Sequence, residues 1–168
     1  MVAPYAVGLC LLLLNCGRND PDQFASTVVV EDSIRPSIGE RIVEYAATLL
    51  GTPYLVAGKD ERGFDCSGFV SYVYLKNGVS VPSSTKALIA LGREVSLAEA
   101  APGDVIFFTG TDPNDSRVGH AGIVVSKPGE PIKFIHSSSA KSSACVKYSV
   151  LDASPGYQRR FLSVRRMW

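Results

Sequence analysis

The chain has 168 residues, of which 46% are hydrophobic and 20% are charged. This size and composition are typical of one folded globular domain, and they exclude disordered, fibrous and multi-pass membrane proteins. Seventeen basic residues against sixteen acidic ones give a net charge of +1. So small a charge provides no basic surface for a nucleic acid, and we therefore expect no nucleic-acid partner.

Four cysteines are spaced in a way that disfavours a disulfide framework. They are Cys10, Cys16, Cys66 and Cys145. The first two lie in an apolar stretch near the N-terminus, the other two are 79 positions apart, and there is no Cys-x-x-Cys pair. A zinc ribbon or a dithiol redox site is therefore disfavoured, and a single free reactive cysteine is the better hypothesis.

The N-terminus has the pattern of an export signal. Residues 6–14 form an apolar run about half as long as a membrane span. The run leads into Leu-Leu-Asn-Cys-Gly, which resembles a lipobox in which Cys16 would be lipidated, although no basic residue precedes the run. The alternative is a buried N-terminal helix. We predict an export signal over 1–16, a tether over 17–36 that contributes at most one short strand, and a domain over 37–168.

Helical signals dominate the first half of the domain. The sequence from Ser37 to Glu40 is a capping box, and the apolar spacing after it predicts a helix that ends before Gly51. A second helix should begin at Asp65 or Cys66 and end at Gly78, and a third should run from about 84 to 91.

The second half of the domain is rich in short strand-like runs separated by Gly, Pro, Asn and Asp. These runs are 105–109, 121–126, 132–137, 146–150 and 161–166. Helices followed by strands predict an α+β domain, with the helices packed on one side of an antiparallel sheet of about five to six strands.

Cys66 lies where the second helix is predicted to begin. With Asp65 as N-cap, the thiol would lie in the first helical turn, where the helix dipole favours the thiolate. The polar segment 58–63 before it reads as a loop, which would leave the thiol accessible to solvent. A small cysteine packed in the core is the alternative.

The two histidines of the chain flank predicted strands. His120 opens the strand that begins at residue 121, and His136 closes the strand 132–137. Strand ends that face a helix N-terminus are where a base and the group that orients it can meet a nucleophile. Each histidine taken alone could equally be structural, and a zinc site lacks an evident fourth ligand.

Five motifs in this order resemble the NlpC/P60 family of papain-like cysteine peptidases, which act on bacterial cell-wall peptides. They are Gly51–Tyr54, Phe64–Val70, Pro102–Phe108, Gly119–Val124 and Phe134–His136. The resemblance covers roughly residues 38–166 and implies a papain-like fold with no metal or organic cofactor.

The resemblance also implies roles for single residues. Cys66 would be the nucleophile, His120 the general base, and His136 the residue that orients the His120 ring. Tyr54 would lie near the nucleophile and help to bind the oxyanion or the substrate. A tetrahedral oxyanion needs donors already in place, and the backbone amide of Cys66 is one candidate.

Two further residues of the motif are expected to recognise the amino end of the peptide. Asp65 is equally well explained as an N-cap, and Ser67 as ordinary polarity in the first helical turn. The chain departs from the family where Tyr-x-x-Gly-Gly is common, because it has Tyr-Leu-Val-Ala-Gly over 54–58. It also lacks the Arg and Gln of an Arg-x-Ser-x-x-Gln segment over 83–88, and both departures bear on specificity.

The resemblance predicts a cysteine endopeptidase that cuts the γ-D-glutamyl–diamino acid bond of peptidoglycan stem peptides through a thioester. The expected partners are stem peptides or muropeptides, and the chain is expected to be a monomer in the cell envelope, anchored by lipid. An alternative enzyme cuts the muramoyl–L-alanine amide or transfers the acyl group. A non-catalytic module that binds wall peptides is the alternative from another class.

Overall fold

The structure is a computed structural model that describes residues 35–112 and 114–168. The predicted export signal, the lipidation site Cys16 and nearly all of the tether lie outside these residues. Residues Pro36–Trp168 form one unit. The boundaries proposed for the three segments therefore stay a prediction.

Helix α1 (Ile38–Thr48) begins at the predicted capping box. The Ser37 hydroxyl accepts a hydrogen bond from the Glu40 amide at 3.2 Å, and the Glu40 carboxylate accepts one from the Ser37 amide at 2.7 Å. Helix α2 (Cys66–Lys76) begins after its N-cap Asp65, as predicted. Helix α3 (Thr85–Leu88) is shorter than predicted, because residues 89–92 form turns and bends and do not continue the helix.

Within residues 35–112 and 114–168, eight strands form two sheets. A small hairpin pairs β1 (Lys59–Asp60) with β2 (Gly63–Phe64), in the segment that the sequence predicts as a loop. The other strands are β3 (Arg93–Val95), β4 (Val105–Thr109), β5 (Val118–Val124), β6 (Lys133–Ser137), β7 (Val146–Val150) and β8 (Phe161–Arg166). They form one antiparallel sheet in the order β3-β8-β4-β5-β6-β7. The predicted α+β class is confirmed. Strand β3 and the hairpin were not predicted from the sequence.

Helix α4 (Pro155–Arg160) lies between β7 and β8 and was not predicted. It is one and a half turns long and none of its residues is fully buried, so no apolar period marks it in the sequence. The predicted strand 121–126 is β5, which begins three residues and ends two residues earlier than predicted, so that His120 lies inside the strand and not before it.

The large sheet separates two apolar clusters. The face toward α1 and α2 carries buried side chains from alternating strand positions, among them Val105, Phe107, Ala121, Ile123 and Ile135. The opposite face carries Ile106, Phe108, Val124, Phe134 and Val164, with Tyr157 of α4 packed against them. The sheet therefore has helices on both faces, because α4, which the sequence did not predict, packs on the face opposite α1 and α2.

No helix among the described residues is long and apolar enough to cross a membrane. Within the same residues, no three His, Cys, Asp or Glu side chains are grouped closely enough to hold a metal ion.

Candidate active site

The first turn of α2 holds the predicted nucleophile against the hairpin β1–β2. Asp65 caps the helix by accepting a hydrogen bond from the Gly68 amide at 2.7 Å. A Cβ on Gly68 would overlap the carbonyl oxygen of Gly58, so the glycine of the Asp-Cys-Ser-Gly motif permits this close approach. The Ser137 hydroxyl of β6 donates to the Phe64 carbonyl at 2.7 Å, which ties the start of α2 to the sheet.

The sulfur of Cys66 lies in a gap between two strands. Strands β5 and β6 pair through Ile123 and Val124 of β5 and separate toward the start of β5. The register between β4 and β5 shifts here, because Phe108 faces His120 and Thr109 faces Val118, so Gly119 is the extra residue of a β-bulge and its carbonyl is close to Cys66. Cys66 Sγ lies 4.0 Å from this carbonyl oxygen. Among the described residues the hydrogen-bond partner of the thiol is this oxygen and not an imidazole.

The two histidines meet each other beside this gap. His120 Nε2 lies 2.9 Å from His136 Nδ1, and His136 Nε2 lies 3.0 Å from the Ser149 hydroxyl of β7. His136 is fully buried, whereas His120 is partly accessible. A Cβ on Gly122 would lie 3.1 Å from the Cβ of His136, so glycine at this position lets the second imidazole approach β5. The two predicted site histidines are thus in hydrogen-bond contact, and Ser149, which the sequence analysis did not name, is the partner of the second one.

Aromatic rings enclose the histidine pair on the face that α4 covers. The Tyr157 ring stacks on His120 with centroids 6.0 Å apart and an interplanar angle of 24°. Phe108 lies 6.0 Å from His120, and Phe134 lies 5.0 Å from His136. Tyr157 was missed because its short helix has no sequence signature.

The protonation of the thiol differs from the sequence expectation. Burial raises the pKa of the Cys66 thiol, and the negative charge of Asp65 raises it further. The backbone N–H groups at the helix start and of Ala121 act in the opposite direction without outweighing burial. The helix start therefore lowers this pKa as expected, but burial outweighs the effect and the net shift in the free protein is upward.

Both imidazoles are neutral near pH 7. Burial, and then the charge of Arg160, lowers the pKa of His120 to about 4. Burial lowers the pKa of His136 far below its ordinary value, and the positive charges of a protonated His120, Lys147 and Arg160 act in the same direction. The free site therefore contains a neutral thiol and two neutral rings.

The remaining predicted site residues lie around α2. Tyr54 is partly buried, and burial, followed by the charge of a Cys66 thiolate, raises the pKa of its phenol. Ser67 is buried, with its hydroxyl 3.0 Å from the Asp65 carboxylate and 3.2 Å from the Ser83 carbonyl. Asp65 and Ser67 thus have structural partners, and their contacts with substrate stay a prediction. Cys145 and Cys66 are both free thiols.

The comparisons with known proteins agree with the sequence motifs. The profile described as the NlpC/P60 family matches residues 51–166. A probable endopeptidase of Haemophilus influenzae is 32% identical over 165 residues, which are 94% of this chain and 92% of the relative. The chain belongs to the NlpC/P60 family. The predicted family is thereby confirmed.

Two further similarities define the extent of this relationship. A probable endopeptidase of Mycobacterium tuberculosis is 37% identical over 97 residues, which are 58% of this chain but 23% of the relative, so the chain spans less than a quarter of that protein. The solved structure of the peptidoglycan hydrolase RipB from the same species has a TM-score of 0.58 and 25% identity. The match covers 86% of this chain and 77% of RipB.

Proposed function

We propose that this NlpC/P60 protein is a cysteine endopeptidase that hydrolyses an amide bond in peptidoglycan stem peptides. The favoured bond joins γ-D-glutamate to a diamino acid such as meso-diaminopimelate. The observation that carries the proposal is the hydrogen-bonded chain from His120 through His136 to Ser149, beside the gap that holds Cys66 Sγ. The relatives support the substrate class, since RipB is described as a peptidoglycan hydrolase.

The chain of hydrogen bonds supports an assignment of the nitrogen that acts as the base. If His136 Nε2 donates to Ser149, then His136 Nδ1 accepts a hydrogen bond from the N–H of His120 Nε2. This arrangement leaves Nδ1 of His120 unprotonated, as a general base requires. His136 and Ser149 thereby position the His120 ring and select its tautomer.

The proposed reaction starts from the neutral pair. His120 takes the thiol proton as Sγ attacks the carbonyl carbon, so a thiolate need not accumulate in the free protein. The tetrahedral oxyanion would accept hydrogen bonds from the backbone N–H of Cys66, with Tyr54 nearby. His120 then gives its proton to the leaving nitrogen, the C–N bond breaks, and water hydrolyses the thioester.

Mass spectrometry of cleavage products tests this proposal. The full chain is incubated with L-Ala-γ-D-Glu-meso-diaminopimelate and with intact muropeptides, beside Cys66→Ala and the control Cys145→Ala, which removes the other free thiol of the described residues. We expect release of the diamino acid by the wild type and the control, and none by Cys66→Ala. Release of an intact stem peptide from muramic acid would instead identify an amidase, and binding without cleavage a non-catalytic module.

A cell-envelope location follows from the proposed substrate, and lipidation at Cys16 would provide the anchor. In a Gram-negative host fed a labelled fatty acid, we expect label on the wild-type chain and none on Cys16→Ser. Equal labelling of both chains would contradict the anchor and leave the peptidase proposal untouched.

A further inference from the structure

We propose that the cavity beside His120 binds the leaving-group half of the substrate and that Arg160, with Lys141, recognises a carboxylate on it. This inference rests on the proposed function, because it assigns one part of the cleaved peptide to one part of the same site. The chemical class of ligand is an amine that carries a carboxylate, as a diamino acid does.

The cavity is large enough for such a group and lies next to the surroundings of the nucleophile. Its volume is about 500 Å³, and its walls include Gly119, His120, Ser138 and Tyr157. Cys66 is not one of these wall residues, but the Gly119 carbonyl oxygen lies 4.0 Å from Cys66 Sγ. The cavity and the sulfur therefore have Gly119 as a common neighbour.

The charge of the cavity is positive. Arg160 and Lys141 line it, and of the described residues that form its walls none is acidic. The Arg160 guanidinium donates to two neutral backbone carbonyls, Gly156 at 3.0 Å and Thr109 at 3.1 Å, and stacks 4.9 Å from the Tyr157 ring centroid. No carboxylate of the described residues lies within ion-pair distance of Arg160 or Lys141. A guanidinium held in place without an acidic partner is suited to bind a carboxylate.

The side of the site on which the cavity lies decides which half of the substrate it holds. His120 must pass its proton to the leaving nitrogen, so the leaving group has to lie against this ring. Tyr54 and Asp65, which are predicted to contact the acyl half, are described residues that do not line the cavity. The two halves of the peptide would thus contact different sets of residues.

Carboxylate binding at Arg160 also bears on the base itself. The charge of Arg160 is one cause of the low pKa of His120. A bound carboxylate would offset this charge and favour the imidazolium that forms when the thiol loses its proton. Recognition of the correct leaving group would then assist the proton transfer.

The experiment compares two peptides that differ in charge at the leaving group. L-Ala-γ-D-Glu-meso-diaminopimelate and its analogue with both diaminopimelate carboxylates amidated are given to the full chain, and the ratio of their kcat/KM values is measured. We expect the free acid to be preferred about tenfold, and Arg160→Gln to lose this preference. Lys141→Gln, at an exposed position, should reduce the preference about twofold.

Matched controls separate recognition from damage to the fold. Arg159→Gln removes an exposed arginine of the same helix that does not line this cavity and should keep the wild-type ratio. Arg160→Lys keeps the charge and should keep part of the preference. If the Arg160 variants do not fold, the Lys141→Gln variant decides whether the positive cavity recognises the carboxylate. An unchanged ratio of the two kcat/KM values in this variant overturns that role.

The outcomes distinguish this inference from the proposed function. Cleavage of both peptides with the same ratio in wild type and Arg160→Gln overturns the inference and leaves the peptidase standing. If neither peptide is cleaved, the proposed function fails, and calorimetric titration of the full chain with meso-diaminopimelate decides the inference. Binding that Arg160→Gln abolishes and Arg159→Gln keeps then supports it, and absence of binding overturns it.

Discussion

Nε2 of His120 lies 2.9 Å from Nδ1 of His136, and the two ring planes are nearly perpendicular, at 88°. One ring therefore offers its edge to the other, which is the geometry of a hydrogen bond between two imidazoles and not of stacking. Because His136 is fully buried and bonded at its other nitrogen to Ser149, it is a rigid partner that holds His120 in one orientation.

The hydrogen bonds from His120 through His136 to Ser149 predict graded losses of activity. His136→Ala should lower kcat about 10²-fold or more, because His120 loses the partner that selects its tautomer. Ser149→Ala removes one neutral hydrogen bond and should lower kcat about fivefold, with KM nearly unchanged. Steady-state kinetics on the tripeptide measure both effects, and the exposed Ser143→Ala is the control. A Ser149→Ala enzyme with wild-type kcat would show that Ser149 does not help to orient the His120 ring.

The lowered pKa values of the two histidines predict that the protein loses stability in mild acid. The pKa of His120 is lowered to about 4 and that of His136 lies lower still, whereas both are near 6.5 in the unfolded chain. Between these values the unfolded chain binds more protons, so the free energy of unfolding falls as the pH decreases from about 7 toward 4. Urea denaturation at pH 7, 6 and 5 measures the slope.

His120→Gln provides the control for this pH dependence, because it removes one of the two titrating rings. Its free energy of unfolding should depend less steeply on pH over the same interval. A wild-type stability that stays level or increases on acidification would show that the imidazoles are not kept neutral by burial.

A buried ion pair should be a major contributor to stability. Arg166 Nε lies 2.7 Å from Asp104 Oδ1 and its Nη2 lies 2.8 Å from Oδ2, while the Ala101 amide donates to Oδ2 at 2.9 Å. Asp104 is fully buried, so Asp104→Ala leaves the guanidinium unpaired and should lower the free energy of unfolding by about 3 kcal/mol. Asp104 thus joins the turn before β4 to Arg166 of β8.

Denaturant titration of Asp104→Ala tests this, with Asp60→Ala as the comparison. Asp60 pairs with Arg62 at 2.7 Å on the exposed hairpin, and its removal should have a much smaller effect. If both variants lowered the free energy of unfolding equally, burial would not strengthen the contribution of the Asp104–Arg166 pair to stability.

One alanine has a backbone conformation that favours glycine. Ala57 has φ +57°, and it stands where the family often has the first glycine of Tyr-x-x-Gly-Gly. The left-handed conformation costs a residue with a Cβ about 1–2 kcal/mol, which exceeds the entropy cost of glycine. Ala57→Gly should therefore raise the free energy of unfolding by about 0.5–1 kcal/mol, measured by urea denaturation.

The matched control carries the same change in a helix. Ala47→Gly, within α1, should lower the free energy of unfolding by about 1 kcal/mol. If Ala57→Gly also lowered the free energy of unfolding, the conformation of Ala57 would not be strained.

Local sequence was sufficient for the features that depend on nearby residues. The capping box of α1 and the N-cap of α2 join residues three positions apart, and the bounds of β4, β7 and β8 follow from short runs between turn residues. The short helix α4 and the two-residue strands of the hairpin have too few residues for a period to appear. For the same reason Tyr157 and Arg160 could not be assigned to the site.

By itself the sequence determined the family, the elements that carry Cys66, His120 and His136, and the chemistry available to these residue types. Only the tertiary structure decided how the thiol is protonated, because burial among residues distant in the chain outweighs the local effect of the helix start. It also decided that β5 and β6 separate beside Cys66 Sγ, whose hydrogen-bond partner Gly119 is 53 positions away. Such contacts depend on how strands pair and helices pack, and no short stretch of sequence contains that information.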